Sequence, residues 1–227
     1  MENNKLNHLG FILDGNRRYA KEHGITLAEG YHCGFNTLKT ILEYVNKTYI
    51  DIKYITVFAL SIDNIKNRKP MEINTLFDLL MDFNIDENYD PYIIKIIGSD
   101  DNLPQNVINR KNTIMNKYNT GKKQLNILFN YSFEYDIIET YKKMYINKVE
   151  DMNLSTLINY SLCNLPQIDL LIRTGGQNRI STFNFLLLQY CEIIFTNTLW
   201  PSLTTLELDS IILKYKNIKK NFGLNIS

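Results

Sequence analysis

Cysteine is too scarce and too scattered in this chain to staple it. Only Cys33, Cys163 and Cys191 are present, an odd number with no CxxC pair. That argues against a disulfide framework or a zinc site and fits a reducing compartment. An excess of one charge is also missing: 25 Lys and Arg stand against 24 Asp and Glu. A net charge of +1 gives no argument for nucleic-acid binding or for strong attraction to an acidic membrane. Any anion site must be local, built from a few placed residues. The opening MENNKLNH has no apolar h-region, so no signal peptide is expected. No apolar run approaches the roughly 20 residues of a spanning helix. The stretch from Phe183 to Phe195 is broken by Asn184, Gln189 and Glu192.

What is present is an alternation of short apolar runs with longer amphipathic ones. The 227 residues, 44% of them hydrophobic, suffice for one domain with a real core, expected over 1–227. Candidate strands are His8–Leu13, Tyr54–Leu60, Tyr92–Ile97, Gln124–Asn130, Asp169–Arg173 and Cys191–Thr196. Each is nearly continuously apolar, as a strand covered on both faces must be. Helical patterns fill the gaps: Gly30–Lys47, Ile73–Phe83, Leu103–Tyr118, Glu134–Asn147, Leu154–Tyr160 and Thr204–Lys219. Asp82–Pro91 is polar and reads as a loop or a frayed helix end. The pattern predicts an α/β fold: a mostly parallel six-stranded sheet with helices on both faces. Ligands of such sheets bind beyond the carboxyl ends of the strands, so the chemistry is sought there.

The first strand ends in Asp14-Gly15-Asn16-Arg17-Arg18 and runs into a helix. Gly15 permits a tight turn, the helix start offers N–H groups to an anion, and the two arginines add full charge. Asp14 supplies a hard oxygen ligand suited to Mg²⁺. A diphosphate–metal site and a plain helix cap with solvated arginines are equally good readings of this motif alone. The second strand ends in Ser61-Ile62-Asp63-Asn64, with Lys66, Arg68, Lys69 and Glu72 following. Taken alone it reads as a capped polar loop. The fifth strand ends in Arg173-Thr174-Gly175-Gly176, with Arg179 and Ser181 beyond. A glycine turn can nest an anion, and arginine forks match phosphate oxygens. A cation closing an apolar strand also needs a partner. Glu192, inside an apolar run, needs one too. Arg179 or a metal would serve, and a structural salt bridge is an equal reading. Among the remaining polar residues, Asn130 suits a backbone cap and Asp100-Asp101 a turn. His8 falls at a strand start and His23 near a helix end.

Together these motifs resemble the cis-prenyltransferases, the family of undecaprenyl and dehydrodolichyl diphosphate synthases. The stretches that carry the resemblance are HLGFILDGNRRYAKEHG, FALSIDN with the following Arg and Glu, LNILFNY, and DLLIRTGGQNRIS with a later Glu and FTNTLWPSL. They span nearly the whole chain in order. The resemblance implies condensation of isopentenyl diphosphate onto an allylic isoprenyl diphosphate, such as farnesyl diphosphate, to give a Z-polyprenyl diphosphate. It implies that Asp14 positions Mg²⁺, with Glu192 linked to the metal. Gly15, Asn16, Arg17 and Arg18 would cradle the allylic diphosphate. Ser61, Asn64, Arg68 and Glu72 would belong to a loop that closes over the reacting groups, with Asn16 and Asn64 counted beside Asp14 as catalytic. Arg173, Arg179 and Ser181 would bind isopentenyl diphosphate.

The resemblance further implies a homodimer, a cytoplasmic location and peripheral membrane contact through the lipid product. The end of the chain, Asn221-Phe222-Gly223-Leu224, lacks the Arg-x-Gly of partner-dependent members. Some positions depart from the family pattern. Leu27 and Tyr31 stand where an arginine and a histidine are usual, leaving His32 as a candidate substitute. Ser132-Phe133-Glu134 replaces Gly-Gly-Arg, and Gln177 replaces a glutamate. The segment from Glu72 to Gly98 is a few residues short, which suggests a medium or short product. Asp14→Ala is expected to abolish turnover and spare the fold. The alternative is an impaired member acting as a partner subunit. A nucleotide-binding α/β protein is a third class, disfavoured by the absence of GxGxxG and Walker motifs.

Overall fold

The structure is a computed structural model that describes residues 4–84 and 92–219. Its strands are β1 (His8–Ile12), β2 (Tyr54–Ser61), β3 (Tyr92–Ile97), β4 (Lys123–Tyr131), β5 (Leu170–Arg173) and β6 (Glu192–Phe195). They form one sheet in the order β3-β4-β2-β1-β5-β6. Every neighbouring pair is parallel, so the expected mostly parallel sheet is wholly so. Among the described residues eight α-helices accompany the strands, the last of them following β6: α1 (Asn16–Glu22), α2 (Leu27–Thr48), α3 (Ile62–Asn67), α4 (Pro70–Met81), α5 (Gln105–Lys117), α6 (Phe133–Ile146), α7 (Leu154–Tyr160) and α8 (Thr205–Lys216).

The helices begin where local chemistry satisfies their first N–H groups. Thr26 and Glu29 form a reciprocal capping box at the start of α2, and Pro70 opens α4. Ser132 and Thr204 cap α6 and α8. Along α2 the buried side chains include Tyr31, Leu38, Ile41, Leu42 and Val45, a stripe at helical spacing. The expected loop at Asp82–Pro91 begins after α4, and its residues 85–91 lie outside the described ones, as does the chain end from Asn221 to Leu224.

Side chains alternate across the strands and feed two cores. Leu9, Phe11, Ile55, Val57, Ile127 and Phe129 join the core built with α2, α4, α5 and α8. Ile12, Phe58, Leu128 and Leu171 point the other way, toward Cys163, Leu165 and Phe183. Asp136 of α6 ties that second face together. Its buried carboxylate accepts hydrogen bonds from the Tyr131, Thr140 and Ser161 hydroxyls, the Leu162 and Cys163 amides and the Asn184 side chain. A carboxylate can be buried only when its lone pairs are satisfied in this way.

His8 opens β1, as expected, and is fully buried. Its ring nitrogens contact the Pro166 carbonyl at 2.8 Å and Thr56 Oγ1 at 2.7 Å. Burial pushes its pKa down from 6.5 to about 4, so the folded ring is neutral. Below pH 6.5 the unfolded chain takes up a proton that the folded chain refuses. Stability is therefore expected to fall between pH 6.5 and pH 4, by about 2 kcal/mol at pH 5. Urea unfolding at pH 7.5 and pH 5 checks this, with the His8→Gln variant losing less over the same interval. Equal losses in both proteins contradict it.

Candidate active site

Where consecutive connections leave in opposite directions, a parallel sheet opens a crevice at its carboxyl edge. Here β1 leads to β2 on one side, while β5 leads to β6 on the other. The crevice lies between β1 and β5, and it brings Asp14 and Arg173 together. Ile12 pairs with Arg173 in the ladder, and Asp14 lies two residues on. Asp14 Oδ2 accepts from Arg173 Nη2 at 3.0 Å, and Asp14 Oδ1 accepts from Arg18 Nη2 at 3.2 Å. Arg18 Nη1 donates to the Gly175 carbonyl at 2.6 Å, tying α1 to the turn after β5.

The Asp14 main chain is gripped as firmly as its side chain. Its carbonyl accepts from Thr174 Oγ1 at 2.7 Å and from the Trp200 amide at 3.0 Å. Gly15 then turns with φ +119°, a conformation costly for any residue with a Cβ. Trp200 Nε1 in turn donates to the Gly34 carbonyl at 2.8 Å. A Cβ on Gly34 would collide with the Asn16 side chain, so this glycine lets α1 lie against α2. Asn16 itself donates to the Leu13 carbonyl, which fixes the turn. The helix start has no side-chain cap, so the plain capping reading of Asp14 does not hold.

Arg173 is 95% buried at its side chain. Besides Asp14, its Nη1 donates to the Arg179 carbonyl and to Ser181 Oγ. Its Nε is buried and has no hydrogen-bond partner. An unpaired donor on a buried guanidinium is an invitation to an anion.

Two polar clefts share Leu13, Asp14, Ala59 and Arg68 as a common wall. One is lined by Gly15, Asn16, Arg17, Arg18, Lys21 and Tyr31. The other is lined by Ser61, Asn64, Arg173, Arg179 and Ser181. A third, mostly apolar cavity meets the first at Leu13, Asn16, Tyr31 and Ala59, and the second at Leu13, Ala59 and Leu60. It runs between α2, α4 and the sheet to Phe35, Phe83 and Phe129. All the sequence-predicted residues except Glu72 and Glu192 line one polar cleft or the other.

Those two glutamates need separate accounts. Glu72 is buried behind the first cleft, where its Oε1 meets Arg68 Nη1 at 2.9 Å and the Tyr31 hydroxyl at 2.7 Å. Glu192 opens β6 opposite Leu170, whereas Arg173 pairs with Phe195. About 10 Å of strand therefore separates Glu192 from the level of Arg173. Within one chain it cannot share a metal with Asp14, because the motif puts it at the amino end of its strand. Nor does it pair with Arg179, whose Nη1 donates to Gln177 Oε1 at 2.6 Å. Ser61 and Asn64 form a reciprocal capping box at the start of α3, so the bland reading of that turn describes their present bonds. His32 is exposed on α2 and does not stand in for Tyr31. The sequence offers no role for Lys21, Thr174 or Trp200, and marks Tyr31 only as a departure from the family pattern.

A divalent ion suits this donor set. Asp14 presents a carboxylate to both clefts, and no group of three or more His, Cys, Asp or Glu forms a cage among the described residues. Mg²⁺ binds in this manner, through one or two carboxylates and substrate phosphates.

Two clefts lined by cations thus share one carboxylate, and an apolar cavity adjoins them both. The sequence matches the family described as putative undecaprenyl diphosphate synthase over residues 12–223. An isoprenyl transferase of Fusobacterium nucleatum is 32% identical over 98% of each chain. A tritrans,polycis-undecaprenyl-diphosphate synthase (geranylgeranyl-diphosphate specific) of Picrophilus torridus is 36% identical, over 95% of this chain and 89% of that protein. Lavandulyl diphosphate synthase from Lavandula x intermedia, solved with dimethylallyl diphosphate, superimposes with a TM-score of 0.87. It is 27% identical, with 97% of this chain and 99% of that one covered. The chain belongs to this cis-prenyltransferase family and is a transferase of prenyl groups.

The Asp14–Arg173 contact changes one expectation. Asp14→Ala strips a buried guanidinium of its anion, so the fold is expected to lose stability. A loss of about 2 kcal/mol is expected, below the roughly 3–5 kcal/mol of a fully buried pair because Asp14 is partly exposed. Asp14→Ala/Arg173→Met is expected to recover part of it. Urea unfolding reads both, and an Asp14→Ala protein as stable as the parent contradicts the account.

Proposed function

We propose that the chain condenses isopentenyl diphosphate with an allylic isoprenyl diphosphate, with Mg²⁺, to a Z-polyprenyl diphosphate of medium or short length. The observation that carries this reading is the pair of polar clefts on either side of Asp14, the first running into the apolar cavity past Asn16 and Tyr31, the second meeting it at Leu13, Ala59 and Leu60. An allylic substrate with a growing tail suits the first cleft, and the small isopentenyl group suits the second.

Arg17, Arg18 and the N–H groups at the start of α1 would hold the allylic diphosphate. Arg173, Arg179 and Ser181 would hold isopentenyl diphosphate. The allylic C–O bond breaks and its electron pair leaves with the diphosphate. The isopentenyl double bond supplies the pair for the new C–C bond, and a proton then leaves the adjacent carbon. Arg18 and its neighbours stabilise the charge that builds on the leaving oxygen. In acyl transfer one preorganised donor of that kind is worth roughly 3–4 kcal/mol, and a similar scale is expected here. Mg²⁺, held by Asp14 and the diphosphate, would supply further charge neutralisation. Among the described residues no side chain is placed as a general base, so the proton goes to a diphosphate oxygen or water.

The product length follows from the inner end of the apolar cavity. Phe83 packs against Phe35 and Tyr118 with ring centroids 5.7 and 6.4 Å away. Arg110 Nη2 donates to the Phe83 carbonyl at 2.7 Å and fixes the end of α4. A pinned aromatic floor limits how far a chain can extend.

The homodimer is proposed on the exposed apolar side chains of α6 and around β6. Ile138, Tyr141, Tyr145, Phe185 and Phe195 are all in contact with solvent in the single chain. A surface of this kind suits a second copy.

Incorporation of radiolabelled isopentenyl diphosphate tests the reaction. Label is expected in lipid product when the purified protein receives Mg²⁺ and a short allylic primer. No incorporation with dimethylallyl, geranyl, farnesyl or geranylgeranyl diphosphate contradicts the reading and favours a partner subunit. Reverse-phase chromatography of the product tests the floor: Phe83→Leu is expected to lengthen it, and an unchanged distribution places the chain elsewhere.

A further inference from the structure

The first cleft holds a charge network that the proposed reaction does not by itself require. Glu72 lies in the first turn of α4 with its side chain 6% exposed. Three groups converge on its Oε1: the Tyr31 hydroxyl at 2.7 Å, Arg68 Nη1 at 2.9 Å and Arg17 Nε at 3.9 Å. Arg68 Nη1 also donates to the Tyr31 hydroxyl at 2.7 Å, so the phenol accepts from the arginine and donates to the carboxylate. Arg17 and Arg68 both line the cleft, whereas Glu72 does not. The two cations that face an incoming diphosphate are thus already drawn toward a buried carboxylate.

That arrangement poses an exchange problem. A diphosphate can recruit Arg17 and Arg68 only by drawing them from Glu72. A buried carboxylate left without a donor is costly, so the arginines would resist. Tyr31 removes the conflict. Its helix, α2, is anchored by the capping box at Thr26 and by the buried stripe that follows. Its hydroxyl cannot follow the diphosphate. Burial pushes the phenol pKa up, so it stays a protonated donor.

We infer that Tyr31 is a positioning residue that holds Glu72 satisfied while Arg68 and Arg17 turn from it to the allylic diphosphate. The inference rests on the diphosphate reading of the cleft given above. Tyr31 does not touch the reacting atoms; it sets how readily the cradle releases its cations. Glu72 then serves as a counter-ion that keeps the empty cleft from carrying two unpaired guanidinium groups.

The test is a double-mutant cycle on binding of farnesyl thiolodiphosphate, a non-reacting probe, with Mg²⁺. The dissociation constants of the parent, Tyr31→Phe, Glu72→Gln and the double variant are measured by calorimetry. Tyr31→Phe is expected to weaken binding about tenfold, the scale of a hydrogen bond to a charged group. In the Glu72→Gln background the same change is expected to cost less than about twofold, because a neutral amide no longer holds the arginines. A purely structural role for Tyr31 would weaken both backgrounds alike. Tyr31→His returns a donor to the position and is expected to bind within about threefold of the parent. It also reads the cycle should Tyr31→Phe not fold. Equal losses in the two backgrounds, or an unchanged affinity in Tyr31→Phe, overturn the inference. A parent protein that binds no probe overturns the diphosphate reading itself.

Discussion

A single guanidinium constrains this site more than any other group. Arg173 closes a four-residue strand flanked by β1 and β6 in a parallel sheet, and its side chain is all but sealed from water. Such a cation must find an anion. The anion is Asp14, carried from the neighbouring strand by the parallel register of β1 and β5. The rest of the site is arranged around that contact. Thr174 and Trp200 hold the Asp14 carbonyl, Gly15 turns the chain, and Arg18 reaches back to the Gly175 carbonyl. With its Nε still unpartnered, Arg173 remains a donor to a further anion.

The two sides of the sheet give the two clefts different characters. On the side of α2 and α4 the polar wall at Tyr31 and Asn16 gives way to leucine and phenylalanine. On the side of Cys163 and Phe183 the cleft of Arg173, Arg179 and Ser181 is walled by Ile12 and Phe58 of the packed core. Asp14 stands where the two meet, since β1 is the last strand before the direction of winding reverses. A divalent ion placed there would bear on both substrates at once. Geometry of this kind supplies orientation, and orientation is much of what a two-substrate condensation needs.

The fold was largely legible because each strand is a short apolar run and each helix a stripe. The six strands agree with the sequence to within one residue at every end, and the capping residues mark the starts of α2, α6 and α8. The site was legible where a charge closes a strand, as at Asp14 and Arg173. It was less so at Glu192, where acidity in an apolar run outweighed strand direction. A residue that opens a parallel strand lies far from the carboxyl edge, and that placement was readable from the sequence. Ser61 and Asn64 follow the ordinary capping rule that the sequence alone favoured. Tyr31 was seen only as a departure from a family pattern. It lies one turn before Phe35 on the same stripe, which was the signal that it faces inward. Its bond to Glu72 joins residues 41 apart, and nothing local predicts that. Asp136 escaped notice for the same reason, because most of its donors come from the distant Ser161–Cys163 segment and Asn184, beside Tyr131 of β4 and Thr140 of α6.

A crystal structure with Mg²⁺, isopentenyl diphosphate and a non-reacting thio analogue of an allylic diphosphate tests the central claim most directly. The account predicts one diphosphate against Arg17, Arg18 and the start of α1, and a second against Arg173, Arg179 and Ser181, with the ion on Asp14 between them. Both diphosphates bound away from the carboxyl ends of β1 and β5, with the Asp14–Arg173 contact undisturbed and no ion on Asp14, would contradict it.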